Sequence, residues 1–234
     1  MWQSPLIIGH RGASAVAPEN TIAAFREAIA AGADGIEFDV RLTRDGVPVI
    51  IHDNSLYRTA RLPHRIADLT RSELEQIDPS VPSLEQLFTL FKSNDLGLYL
   101  EMKCDSPAEH VPLAKACCEK IVDYSFEDRV MIECFDLNAL AVVKNVDSEI
   151  KTAALFHRSF FPEQRVIEEA LAIEASAVAL HYRLAREPLV QKAKDAGLHV
   201  AVWTVDDPSW VDRAKLTGID ALITNNPAAM LAHR

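Results

Sequence analysis

Short apolar runs alternate along the chain with longer stretches whose apolar residues recur every three or four positions. The short runs predict strands at Leu6–His10, Gly35–Val40, Val47–His52, Leu98–Lys103, Val130–Phe135, Thr152–Phe156, Ala177–His181, Val200–Val205 and Ala221–Thr224. The longer stretches predict helices over Thr21–Ala31, Leu84–Ser93, Pro107–Asp123, Leu137–Asn145, Pro162–Glu174, Glu187–Ala196, Pro208–Leu216 and Ala228–His233. Ala31-Gly32, Ala196-Gly197 and Thr217-Gly218 each set a glycine just past a helix, where a left-handed cap turns the chain back toward a sheet. Repeated strand, helix and glycine imply parallel strands with helices outside. About eight such units, with no dinucleotide-binding fingerprint, favour an α/β fold of the (β/α)8 TIM-barrel type over an open sheet.

One connection departs from this rhythm. Arg41-Leu42-Thr43-Arg44-Asp45-Gly46 is too short for a helical crossover, and Asp45-Gly46 is a hairpin signal. A turn centred there places Asp39 opposite His52 on one sheet face. The alternative is a short irregular loop leading to a parallel strand. Asn54–Pro82 carries scattered charges, prolines and one short helical pattern at Arg71–Ile77. It reads as a short insertion after the third strand, a lid over the barrel mouth within one domain spanning residues 1–234.

Composition narrows the function classes. The 234 residues include 24 basic and 34 acidic side chains, 24 − 34 = −10, with 49% hydrophobic residues. Such a chain builds a core and is not disordered. Its negative charge argues against nucleic acid as the main partner, while leaving room for a small anion held by local cations. No apolar stretch approaches the roughly 20 residues that span a bilayer, and the first residues lack a basic, signal-like start. Cys104, Cys117, Cys118 and Cys134 contain no CxxC pair, so reduced thiols and a cytoplasmic location are expected.

In Gly35–Val40, Ile36, Phe38 and Val40 share one face, and Glu37 and Asp39 the other. With the apolar face against the helices, the two acids point into the barrel, where a hard divalent cation is their simplest compensation. A solvated edge strand is the competing reading. Leu98–Lys103 repeats the pattern, with Tyr99, Glu101 and Lys103 opposite Leu98, Leu100 and Met102; alone, Glu101 and Lys103 would simply pair. His10-Arg11-Gly12 ends the first strand and His52-Asp53 the third. The two imidazoles suit an acid–base pair, and neighbouring acids are expected to raise their pKa values. His181 ends a strand and can line the mouth. Trp203 forms an apolar wall or a barrel plug. Asn20 is the expected cap of the first helix. Three carboxylates, two histidines, Arg11 and Lys103 on one rim point to metal-assisted cleavage at a phosphate.

His10-Arg11-Gly12, Pro18-Glu19-Asn20-Thr21, Glu37-Phe38-Asp39, His52-Asp53, Glu101-Met102-Lys103 and Trp203-Thr204 together resemble the glycerophosphodiester phosphodiesterase family, over essentially the full length. The resemblance implies a TIM barrel of the phospholipase C-like phosphodiesterase type. It implies one divalent cation, Mg²⁺ or Ca²⁺, on Glu37, Asp39 and Glu101, with His10 and His52 as the acid–base pair in either order. Arg11 and Lys103 would hold phosphate oxygens, and Phe135, His181 and Trp203 would line the pocket of a small-molecule glycerophosphodiester. The nucleophile would be water or the glycerol 2-hydroxyl.

Three features depart from the family pattern. The segment after His52 is short, Glu133-Cys134-Phe135 replaces a small hydroxyl residue before Phe, and Asn225 stands where Asp often follows Thr224. The first leaves substrate choice open, Glu133 adds an acid to the mouth, and Asn225 is expected to matter only structurally. Lysophospholipase D-type cleavage, for which Phe160-Phe161 could guide an acyl chain, and a non-catalytic phosphoester-binding barrel are the alternatives.

Overall fold

The computed structural model describes residues 5–158 and 162–234, so Phe160-Phe161 lies outside the described residues. Among the described residues nine strands form, β1 Leu6–His10, β2 Gly35–Leu42, β3 Pro48–Ile50, β4 Gly97–Met102, β5 Val130–Cys134, β6 Lys151–Phe156, β7 Ala177–His181, β8 His199–Trp203 and β9 Ala221–Thr224. All but β3 run parallel and close a ring, in which β1 pairs with both β2 and β9. The chain is therefore an eight-stranded TIM barrel.

The helices are α1 Ile22–Ala31, α2 Tyr57–Ala60, α3 Arg71–Ile77, α4 Leu84–Phe91, α5 His110–Asp123, α6 Leu137–Val146, α7 Val166–Ala172, α8 Glu187–Asp195, α9 Trp210–Thr217 and α10 Pro227–His233. Among the described residues no helix is long and apolar enough to cross a membrane, and all four cysteines are unbridged.

Strand alternation determines what lies on each side of the wall. Ile36, Phe38, Val40, Leu98, Leu100 and Met102 turn outward into the main core. There Phe38 meets Phe25 of α1 edge-on at 6.3 Å. Fully burying such a side chain stabilises the fold by about 1.5–3 kcal/mol. Inside the ring, Ile8, Tyr99, Leu155, Ala179, Ala201, Ala221 and Ile223 form a second apolar cluster. This cluster plugs the barrel and leaves the polar inward residues to the layer above it.

The predicted hairpin is present, one residue out of the expected register. Val40 pairs with Ile50, and the Ile51 N–H donates to the Asp39 carbonyl at 3.0 Å, so Asp39 opposes Ile51 rather than His52. The cause is the turn: Thr43 N–H donates to the Val47 carbonyl, leaving a three-residue loop that ends on Gly46 at φ +79°. A two-residue turn on Asp45-Gly46 would have given the expected register. The predicted third strand is consequently an antiparallel appendage to β2 and not a stave of the barrel. Beyond it, Leu56, Ile66, Leu69, Leu74 and Val81 of the insertion bury against Val49 and Ile51 in a small cluster of their own. The helix expected at Arg71–Ile77 is there, closed by a Thr70–Glu73 capping box.

Candidate active site

The site is built by strand register. His10 of β1 lies level with Glu37 of β2, and Asp39 level with Glu101 of β4. Parallel strands carrying acids at alternate positions thus bring Glu37, Asp39 and Glu101 onto one inner wall, each with a carboxylate oxygen within 4.8 Å of the others. All three are buried.

Two cations from strand ends face them. Lys103 sits 3.0 Å from an Asp39 oxygen and also contacts Glu101. Arg11 holds Asp39 at 3.2 Å through Nε and Glu19 at 2.8 Å through its guanidinium, while its backbone N–H donates to Glu37 at 2.9 Å. Arg11 and Gly12 adopt φ +55° and +85°, a sharp turn that α1 packs against. A Cβ on Gly12 would lie 2.6 Å from the Ala24 backbone, so this turn needs glycine.

Asn20 is not the helix cap. Thr21 takes that place, accepting from Ala24 N–H, while Asn20 sits at φ +57°. Its amide donates to Asp39 at 2.7 Å and its oxygen accepts from Asp39 N–H at 3.3 Å. The loop before α1 therefore reaches into the barrel and orients the central carboxylate.

Burial opposes charge on Asp39, yet Lys103, Arg11, His52 and the Asn20 amide together hold it ionised, below the usual carboxylate range. Glu37 and Glu101 behave oppositely. Burial, reinforced for Glu37 by Asp39 and for Glu101 by Asp39 and Glu37, pushes both up to about 8. One oxygen of Glu37, Oε1, is buried with no hydrogen-bond partner among the described residues. Crowded oxygen donors, with cationic side chains too few to neutralise them, fit a hard divalent cation.

The two histidines flank this wall. His10 has Nε2 3.9 Å from Glu37 and Nδ1 2.7 Å from the Asn225 side-chain oxygen. His52 has Nδ1 2.6 Å from Asp53, which Arg58 also holds. The expectation that nearby acids raise their pKa values is not met. Burial is the largest influence on both rings and, with Arg11 for His10 and Lys103 for His52, outweighs the carboxylates and lowers both.

These groups open on a cavity of about 220 Å³. His10, Arg11, Glu37, His52, Glu101 and Lys103 line it together with Phe135, Trp203 and His157. Trp203 is fixed by its indole N–H on the Ala179 carbonyl at 3.0 Å and meets Phe135 edge-on at 5.5 Å. His181 does not reach the cavity wall; it packs behind, against Trp203 at 5.2 Å and His157 at 4.4 Å. Glu133, level with Glu101 on the next strand, does reach it. Burial and the Glu37 and Glu101 carboxylates push its carboxyl well above the usual range. A larger cavity, about 620 Å³, adjoins this one and shares the His52 wall.

Asn225 also accepts from Ser14 at 2.9 Å and donates to Asp206 at 2.7 Å, so its contact with His10 is braced. The expectation of a purely structural Asn225 therefore gives way to a place beside the imidazole. Asn20, Asp53, Asn225 and His157 were missed as site residues because all follow strands or sit in loops, where periodicity carries no signal. Only adjacency to a motif residue, as in His52-Asp53 and Asn20-Thr21, could have pointed to them.

The sequence pattern of the "Glycerophosphoryl diester phosphodiesterase family" matches residues 10–229. A glycerophosphodiester phosphodiesterase of Caldanaerobacter subterraneus is 33% identical over 97% of this chain and 96% of its own length. Among solved structures, an Oleispira antarctica phosphodiesterase in complex with the product sn-glycerol-3-phosphate superposes with TM-score 0.88 at 27% identity, covering 98% of this chain and 96% of that one. The glycerophosphodiester phosphodiesterase of Thermotoga maritima gives 0.82 at 26% identity, with both chains fully covered.

Proposed function

The chain belongs to the glycerophosphoryl diester phosphodiesterase family, and from that premise we propose that it hydrolyses glycerophosphodiesters to sn-glycerol 3-phosphate and an alcohol. The observation that carries this reading is one cavity whose lining bears two histidines, two cations and two carboxylates of a three-carboxylate cluster. Mg²⁺ or Ca²⁺ on Glu37, Asp39 and Glu101 would supply positive charge beside the phosphoryl oxygens. Arg11 and Lys103, already tethered to those carboxylates, hold phosphate oxygens and neutralise the charge that grows on them.

His10 and His52 divide the proton transfers. The Asn225 oxygen keeps a hydrogen on His10 Nδ1, which leaves Nε2 as the acceptor on the carboxylate side. His10 is thus suited to take the proton from the nucleophile, water or the glycerol 2-hydroxyl. His52 has a carboxylate partner in Asp53, which stabilises an imidazolium able to protonate the departing alcohol. The P–O bond to that alcohol breaks as the bond to the nucleophile forms, giving sn-glycerol 3-phosphate directly when water attacks and, when the 2-hydroxyl attacks, a cyclic phosphate that a water molecule then opens to sn-glycerol 3-phosphate. His52 also stands between the catalytic cavity and the larger one, so the alcohol leaves into the latter. The insertion at 54–82, tied on through Arg58, then acts as a lid on the leaving-group side.

His10→Ala and His52→Ala test the assignment. Each is expected to lower kcat on glycerophosphocholine by about 10²–10⁴-fold with the circular dichroism spectrum unchanged. Only His52→Ala should recover on a substrate with a good leaving group such as p-nitrophenol, which needs no proton. Retained turnover in both variants contradicts the proposal.

A further inference from the structure

Glu133 is buried to 1% exposure on the wall of the catalytic cavity, and its Oε2 has no hydrogen-bond partner among the described residues. It is not part of the Glu37–Asp39–Glu101 cluster. The nearby ammonium of Lys103 is engaged by Asp39 and Glu101. An orphaned buried acceptor costs about 1–3 kcal/mol, so this oxygen is poised for a donor that arrives with the ligand. The cavity wall also carries the apolar side chains of Leu155, Ile223 and Trp203. At about 220 Å³ it is smaller than the roughly 300–1,000 Å³ typical of drug-sized sites. A short polyol fits such a space.

We propose that Glu133 is a specificity-determining residue that accepts a hydrogen bond from the terminal glycerol hydroxyl of the substrate. The inference rests, for its substrate, on the glycerophosphodiester reading above. With phosphate held by Arg11 and Lys103, the free end of the glycerol points along the cavity to the next strand, where Glu133 stands. A carboxyl offers an acceptor oxygen whether or not it carries a proton, so the contact does not depend on its ionisation. In a lysophospholipid that same hydroxyl is an ester and has no hydrogen to donate. A site built to bond a hydroxyl rejects the analogue without it, because its own buried group stays unpaired. Glu133 thereby directs the enzyme toward fully deacylated diesters.

The test compares wild type with Glu133→Ala and Glu133→Gln, in the presence of Mg²⁺. By calorimetry, wild type should bind sn-glycerol 3-phosphate about 10–100-fold more tightly than propyl phosphate, which lacks both hydroxyls. Glu133→Ala should erase the preference, and Glu133→Gln, which keeps an acceptor oxygen, should retain part of it. In turnover, Glu133→Ala should lower kcat/KM on glycerophosphocholine by a similar factor and leave that on palmitoyl-lysophosphatidylcholine within about twofold. Equal wild-type affinity for the two phosphates overturns the proposal. So does a parallel loss on both substrates with weaker Mg²⁺ binding, which would make Glu133 a ligand of the cation. If wild type cleaves neither substrate yet shows a Glu133-dependent preference for sn-glycerol 3-phosphate, the hydroxyl contact stands and the phosphodiesterase reading falls.

Discussion

At φ +57°, Asn20 leaves the capping of α1 to Thr21 and commits its side chain to Asp39. Asn20→Ala removes a donor from a buried carboxylate, so urea unfolding should show a loss of about 1–3 kcal/mol. Mg²⁺ affinity should weaken with it; an unchanged unfolding midpoint and affinity would show that Asp39 needs no such support. Asn225 positions His10 in a comparable way. Asn225→Ala should lower kcat about tenfold with KM little changed, as expected when a transition-state group loses its orientation. The direction of the histidine shifts sets the acid side of the pH profile. As the proposed base His10 would act in its neutral form, and burial lowers its pKa from 6.5. The acid limb of kcat/KM should therefore have its midpoint below 6.5; a midpoint above that value contradicts the assignment. Among the site residues, the acids on β2 and β4 were legible in the sequence because strand alternation projects them together. Asn20 and Asn225 were not, since a loop residue's target depends on where the whole loop folds.

At the level of elements, the barrel's staves follow from alternation, and its helices from apolar spacing with glycine caps such as Gly32, φ +83°. What alternation leaves undetermined is turn length. One extra loop residue before Val47 moved Asp39 from His52 to Ile51, since each residue of slip shifts every pairing. The β1–α1 turn is the opposite case, where one residue decides the joint. Gly12→Ala meets both a positive φ and the Ala24 backbone at 2.6 Å. Thermal melts should show destabilisation of about 1–3 kcal/mol or more, with turnover falling because Arg11 moves with the turn. A variant as stable and active as wild type would mean that α1 is not locked against this turn.

Across the molecule, the acidic wall links stability to pH and, on the proposed metal reading, to the cation. Folding raises the pKa of Glu37 and Glu101 from 4.5 to about 8. The native state then binds more protons than the unfolded chain, and stability falls as pH rises. For metal-free protein, this contribution is fully present below about 4.5 and is lost as pH rises through about 8. A divalent cation binds the deprotonated form, so added Mg²⁺ or Ca²⁺ should raise Tm more at pH 8 than at pH 5. An equal rise at both pH values would place the cation elsewhere. Closure of the ring could be anticipated from the count of repeating units. The juxtaposition of Glu37, Asp39, Glu101 and Glu133 depends on strand order and register, which no single segment encodes.

The most direct measurement is release of sn-glycerol 3-phosphate from glycerophosphocholine and glycerophosphoethanolamine, with Mg²⁺ or Ca²⁺ and again after chelation. Release that stops on chelation and returns with the cation, and that Glu101→Gln abolishes, is the predicted result. Folded, cation-loaded protein that releases none from either diester would contradict it.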